Sequence, residues 1–170
     1  MRNFLSDFAK LVKLRLSFLV VFSASISFLI GSKEQGFVNW TNWFLLTIGG
    51  FLVTAAANGF NEIIEKDLDK LMKRTADRPI PAGRMTTGQA LVLSIFMSII
   101  GTLILVRLNF LTGVLSVFSI FFYAFIYTPM KRKSPIAVFL GAIPGALPPL
   151  METFLTIKIG TNCCSPTPKC

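Results

Sequence analysis

The sequence predicts an all-α, polytopic transmembrane helix bundle, and three observations carry that prediction. First, 53% of the 170 residues are hydrophobic, 17 of them Phe, and the mean hydropathy is +0.67, which is too apolar for a soluble domain with charged faces. Second, several stretches approach the roughly 20 apolar residues that a helix needs to cross a hydrocarbon core of about 30 Å. Third, the cations alternate with those stretches. If the amino terminus is cytoplasmic, Arg2, Lys10, Lys13, Arg15, Lys66, Lys70, Lys73, Arg74, Arg78, Arg84, Lys131, Arg132 and Lys133 fall inside, thirteen of the seventeen Lys and Arg. Only Lys33, Arg107, Lys158 and Lys169 fall outside, as the positive-inside rule requires. The net charge of +9 is therefore a membrane signature, and nucleic acid is not an expected partner.

Five spans follow in order. The first covers residues 14–30. Its basic prelude from Arg2 to Arg15 resembles a signal peptide, but Gly31, Ser32 and Lys33 offer no convincing cleavage site, and a retained helix is predicted. The second covers 43–60, with Trp40 and Trp43 at a membrane–water interface. The third covers 90–106, and the fourth covers 108–127 and ends on Tyr127, another interfacial aromatic. The fifth covers 134–151, where Gly141, Pro144, Gly145, Pro148 and Pro149 imply a kinked helix supported by neighbours or a cavity.

Three connections are short, at 31–42, Arg107 and 129–133, but residues 61–87 carry six basic and five acidic residues. Residues 61–73 contain neither Pro nor Gly and should continue the second helix beyond the membrane. Pro79 and Pro81 should stop it, Gly83 should permit a turn, and Thr86 or Thr87 should cap the next helix.

Candidate chemistry lies in this segment. Asn61, Glu65 and Asp69 follow i, i+4, i+8 spacing and share one helix face, with Glu62 on the adjacent edge. Oxygen donors at the mouth of a bundle suit Mg²⁺, which shares its shell with substrate phosphates. Lys73, Arg74, Arg78 and Arg84 follow, and such cations can hold diphosphate oxygens. From spacing alone, a solvated helix end with Glu62–Lys66 and Asp69–Lys73 pairs remains an equal reading.

The run from Asn61 to Asp69, NEIIEKDLD, resembles the first acidic motif of the UbiA-type prenyltransferase superfamily, with Glu65 in place of an Asp. The run from Asp69 to Arg84, DKLMKRTADRPIPAGR, is similar to the DxxMxRTxxRP signature of its protoheme IX farnesyltransferase (haem O synthase) branch. Residues 11–20 resemble the opening helix of that branch, although Leu14 stands where a proline is expected. Residues 127–135 and 141–150 resemble its fourth-to-fifth helix region.

The resemblance implies about five spans of a nine-helix UbiA-type fold, with residues 1–151 in the domain and 152–170 an atypical tail. It implies transfer of farnesyl from farnesyl diphosphate to the vinyl group of haem B, with Asn61, Glu65 and Asp69 catalytic through Mg²⁺. Glu62 would join the metal site, and Lys73, Arg74, Arg78 and Arg84 would bind diphosphate. Farnesyl diphosphate, haem B and the lipid bilayer are the implied partners, in the cytoplasmic membrane. With no His in the chain, haem would enter as a substrate and not as a His-ligated cofactor. After Met151 the family's second Asp-rich motif does not follow, which predicts a truncated chain inactive by itself. An aromatic or chlorin acceptor, or a noncatalytic membrane subunit, stays open as an alternative. Cys163, Cys164 and Cys170 fit neither a zinc nor a redox motif.

Overall fold

The computed structural model describes residues 4–34, 38–73 and 75–130. The predicted fifth span, Arg74, the 131–133 basic run and the three cysteines lie outside these residues. Within them every regular element is helical: α1 (Phe4–Leu11), α2 (Leu14–Glu34), α3 (Trp40–Leu71), α4 (Thr87–Leu108), α5 (Phe110–Phe121), a π-helical turn (Phe122–Tyr127) and α6 (Thr128–Met130). Four segments are long and apolar enough to cross a membrane: Leu14–Lys33, Trp40–Leu71, Thr87–Leu108 and Phe110–Tyr127. They correspond to the first four predicted spans.

Helix α3 is the centre of the bundle and packs against α4 most extensively, then against α2. Inside a bilayer, apolar burial gives little drive for helix association, so close approach of small residues takes over. A Cβ on Gly59 would stand 2.1 Å from Ser94 Oγ, and one on Gly101 would stand 3.0 Å from the backbone nitrogen of Val53. These pairs run in opposite directions along the two helices, so α3 and α4 are antiparallel. Phe28, Leu46, Val53, Leu105 and Ile120 fill the core between α2, α3, α4 and α5. Across α2 and α3, Ser25 and Thr47 share a hydroxyl hydrogen bond of 3.1 Å.

The helix ends follow local chemistry. Asn39 caps α3 by accepting from the Asn42 N–H, and Thr86 caps α4 in a reciprocal capping box with Gln89. Asn109 turns the corner into α5 by accepting from the Leu111 N–H. Helix α3 stops at Leu71, before the prolines expected to end it, because Met72 turns extended and the Thr75 hydroxyl takes the carbonyls of Asp69 and Met72. Gly83 adopts φ +71°, the turn its sequence position called for.

One break has no glycine or proline to mark it. Lys13, between α1 and α2, adopts φ +47°, a left-handed conformation costing an L-residue about 1 kcal/mol. The break frees the Val12 carbonyl. Ser17 Oγ donates to it at 2.7 Å and Asn58 Nδ2 of α3 at 3.4 Å, while Asn58 also donates to Ser17 Oγ at 3.1 Å. Val12, Ser17 and Asn58 are all buried, so α3 fixes the bend from its own side.

Candidate functional site

The break at Lys13, the far third of α3, the 72–86 loop and the start of α6 meet at one end of the bundle. On α3, Asn61, Glu62, Glu65 and Asp69 are buried, whereas Asp67 is exposed. The 3.6-residue repeat explains this division, since positions 61, 65 and 69 return to the same face.

Burial here comes from the loop and from the neighbouring helix ends. Pro79 and Ile80 are buried beside α3, and the Ile80 N–H donates to Glu62 Oε1 at 3.5 Å. The other oxygen, Glu62 Oε2, has no hydrogen-bond partner among the described residues, although Glu62 is 0% exposed. A buried carboxylate oxygen without a donor is costly, and a cation or donor beside it would relieve that cost. Arg78 pairs with Asp69 through its guanidinium, and Arg78 and Lys13 both exert their charge on Glu62.

Two orientations of the Asn61 amide fit the same atoms, and proton counting decides between them. The Thr128 hydroxyl has one proton and donates it to the Tyr123 carbonyl at 2.8 Å. Towards Asn61 it therefore accepts, so the amide nitrogen faces Thr128 at 3.1 Å and also donates to Glu65 Oε2 at 3.1 Å. Asn61 Oδ1 then accepts from Lys13 Nζ at 3.0 Å. Tyr123 can be reached twice because the π-helical turn sends the Thr128 N–H to the same carbonyl.

The acidic residues share a face but not a point. Eight residues of helix separate Asn61 from Asp69, about 12 Å of rise, and among the described residues no three Asp, Glu, His or Cys side chains are grouped to hold one ion. The convergence expected from sequence is thus a strip, along which Asn61 meets Lys13 and Asp69 meets Arg78. A strip of oxygen donors with one orphaned carboxylate oxygen still suits Mg²⁺, which uses one or two carboxylates and completes its shell with water and phosphate oxygens.

The predicted cations separate. Arg78 lies in the strip, Lys73 is exposed just beyond α3, and Arg74 lies outside the described residues. Arg84 instead faces α1, donating to Asp7 Oδ1 at 2.8 Å and to Asp77 Oδ1 at 3.0 Å, and Lys10 of α1 bonds Asp77 Oδ2 at 2.8 Å. Lys10 and Arg84 together hold the Asp77 carboxyl below the usual carboxylate range, and Asp7 with Asp77 raises Arg84. Sequence reasoning missed Lys13 and Thr128 as members of the strip. The unmet proline at Leu14 was the signal for the first, because position 14 opens α2 and proline favours the first helical position.

Comparison with known proteins adds three findings. Residues 20–162 match the model of the UbiA prenyltransferase family. Curated relatives include the protoheme IX farnesyltransferase of Cytophaga hutchinsonii, 49% identical over 143 residues, covering 84% of this chain and 49% of the relative. That of Christiangramia forsetii is 44% identical over 146 residues, covering 86% of this chain and 48% of the relative. The chain spans about half the length of these relatives. A solved structure described as a digeranylgeranylglyceryl phosphate synthase in membranes superposes with a TM-score of 0.79 at 20% identity, covering 89% of this chain and 53% of that one. At that identity the likeness concerns the fold.

Proposed function

The chain belongs to the UbiA prenyltransferase family, and from that premise we propose that it carries the diphosphate-binding half of a protoheme IX farnesyltransferase. The observation that carries the reading is the buried strip Asn61, Glu62, Glu65 and Asp69, faced by Lys13 and Arg78, at one end of an apolar bundle. The names of the curated relatives supply the acceptor, protohaem IX (haem B), and the farnesyl group, and the family resemblance supplies its diphosphate form as the donor.

In the proposed reaction the allylic C–O bond of farnesyl diphosphate breaks and diphosphate leaves with the electron pair. The farnesyl carbon bonds to the haem vinyl group, and water adds to the other vinyl carbon with loss of a proton, giving the hydroxyethylfarnesyl chain of haem O. Mg²⁺, held by neighbouring pairs from Asn61, Glu62, Glu65 and Asp69, would neutralise charge on the diphosphate. Arg78 is placed to bind phosphate oxygens with its planar fork, and Lys73 to meet them from the exposed rim. Pro79 and Ile80 exclude water from the inner part of the strip. Haem B enters as the acceptor substrate, and these 170 residues offer it no imidazole ligand. The excess of basic residues at the site end supports a cytoplasmic amino terminus and site end, with the bundle in the cytoplasmic membrane.

The test is retention of labelled farnesyl diphosphate by the purified chain in detergent. Retention should require Mg²⁺, be competed by inorganic pyrophosphate and disappear with chelator. Retention that ignores Mg²⁺ and pyrophosphate would mean that only the isoprenoid tail is being bound, and the proposal would fail.

A further inference from the structure

Lys13 is the described non-glycine residue with positive φ, and it sits where the polypeptide enters its first span. The strained backbone has an outcome. It ends α1, starts α2 and turns the Lys13 side chain towards α3, where Nζ bonds Asn61 Oδ1 at 3.0 Å. Asn61 cannot escape this bond by rotating its amide, because Thr128 and Glu65 both accept from its nitrogen. The bend itself is held through Val12, Ser17 and Asn58. An ammonium is thereby built into an acidic strip from a different helix, on an oxygen that a divalent cation would otherwise use.

We propose that Lys13 is a resident counter-cation of the acidic strip, which holds Asn61 while no metal is bound and gives up Asn61 Oδ1 to the metal as its ammonium turns to the incoming diphosphate. The inference rests on the reading of the strip as a metal–diphosphate site. A buried carboxylate strip without a cation would repel itself, and Lys13 with Arg78 keeps it folded and neutralised until substrate arrives. The two cations differ in the bond that must be given up. Arg78 bonds a carboxylate, Asp69, whereas the bond from Lys13 to Asn61 is to a neutral amide oxygen, the weaker of the two to exchange. A flexible four-carbon stem suits a charge that must move between two partners.

The proposal makes opposite predictions for two ligands, which a merely structural lysine would not. Lys13→Gly removes the ammonium while accepting φ +47° without strain, so the bend is retained. In calorimetric titrations of the full chain in detergent, Lys13→Gly should bind Mg²⁺ without pyrophosphate about tenfold more tightly than wild type, since a competing charge is gone. With saturating Mg²⁺ it should bind inorganic pyrophosphate about tenfold more weakly, the loss of one charge-assisted hydrogen bond. Lys13→Arg, which keeps the charge, should stay near wild type for both. Lys10→Gln removes a cation bonded to Asp77 and should also leave both unchanged. Equal or weaker Mg²⁺ binding by Lys13→Gly, with wild type binding normally, would overturn the proposal and spare the site. No Mg²⁺-dependent pyrophosphate binding by any form, wild type included, would overturn both.

Discussion

Arg78 and Arg84 lie six residues apart on one loop, and sequence alone gives them the same role. The fold sends them to opposite sides. Arg78 turns inward to Asp69, whose side chain is 5% exposed, and joins a strip containing an orphaned carboxylate oxygen. Arg84 turns to α1 and ties the loop to it through Asp7 and Asp77, with Lys10 completing a chain of four charges. The first cluster leaves an oxygen without a partner among the described residues, whereas the second is closed on itself, with its Lys10 and Asp77 members open to water. A ligand can add to the first, whereas the second already uses its charges to fasten α1 over the site end. The contrast makes Arg78 the proposed diphosphate ligand and Arg84 a fastener of α1, a distinction that residue type cannot draw.

The largest expected break in this comparison comes from the inner cluster. Asp69→Ala should weaken Mg²⁺-dependent pyrophosphate binding about a hundredfold, because it removes a metal donor and strands a partly buried guanidinium. Asp67→Ala, about 160° around the helix from Glu65 and exposed, should change it less than about twofold. Equal losses, measured by the same titration, would erase the distinction between the two faces of α3.

Exchanging the arginines sharpens it. Arg78→Ala should weaken pyrophosphate binding about tenfold and leave hydrogen exchange in α1 unaltered. Arg84→Ala should do the reverse, raising exchange across Phe4–Leu11 while pyrophosphate affinity stays within about twofold. Loss of affinity in Arg84→Ala without faster exchange would return Arg84 to the diphosphate.

Salt gives a smaller effect. Raising ionic strength from about 0.1 to 1 M shortens the screening length from about 10 to 3 Å, so exchange in α1 should quicken modestly. The cross-link of Asp69 with Arg78 should persist, as should protection of the 61–69 amides. The least effect is that of pH. Because the Asp77 carboxyl titrates below its unfolded value of about 3.9, its contribution is complete above that value and is lost as pH falls through the lowered one. Exchange in α1, corrected for intrinsic rates, should therefore be level between about pH 5 and 8 and rise only in stronger acid.

Much of the site was legible because helical periodicity is local. The common face of Asn61, Glu65 and Asp69 with Glu62 at its edge, the placement of Asp67 away from that face, the continuation of α3 through the motif and the Thr86 cap all follow from residues within a few turns. The first four spans were readable from length and hydropathy. What stayed hidden depends on contacts between distant residues. Arg84 meets Asp7, 77 positions away, and Thr128 meets Asn61, 67 positions away, and no period reports such pairings. Lys13 was hidden for another reason: its left-handed backbone is enforced by α3 through Asn58, with no glycine to announce it. The length of the strip was available from the helical rise and shows that residues sharing a face need not share an ion.

The π-helical turn at Phe122–Tyr127 sets the phase of the Thr128–Met130 turn that follows it. A turn of this kind is one residue longer than the α-helical path it replaces. Rewinding the same six residues as ordinary α-helix, without removing one, would rotate Thr128 by about 100°. The Asn61 amide would then lose the hydroxyl that fixes its orientation, and Oδ1 could turn away from Lys13 without any change to the acidic motif itself. Winding in the fourth span is thus a hidden part of the motif in the second. Two chains with identical acidic residues but different winding of these six residues would differ in how their first donor is aimed.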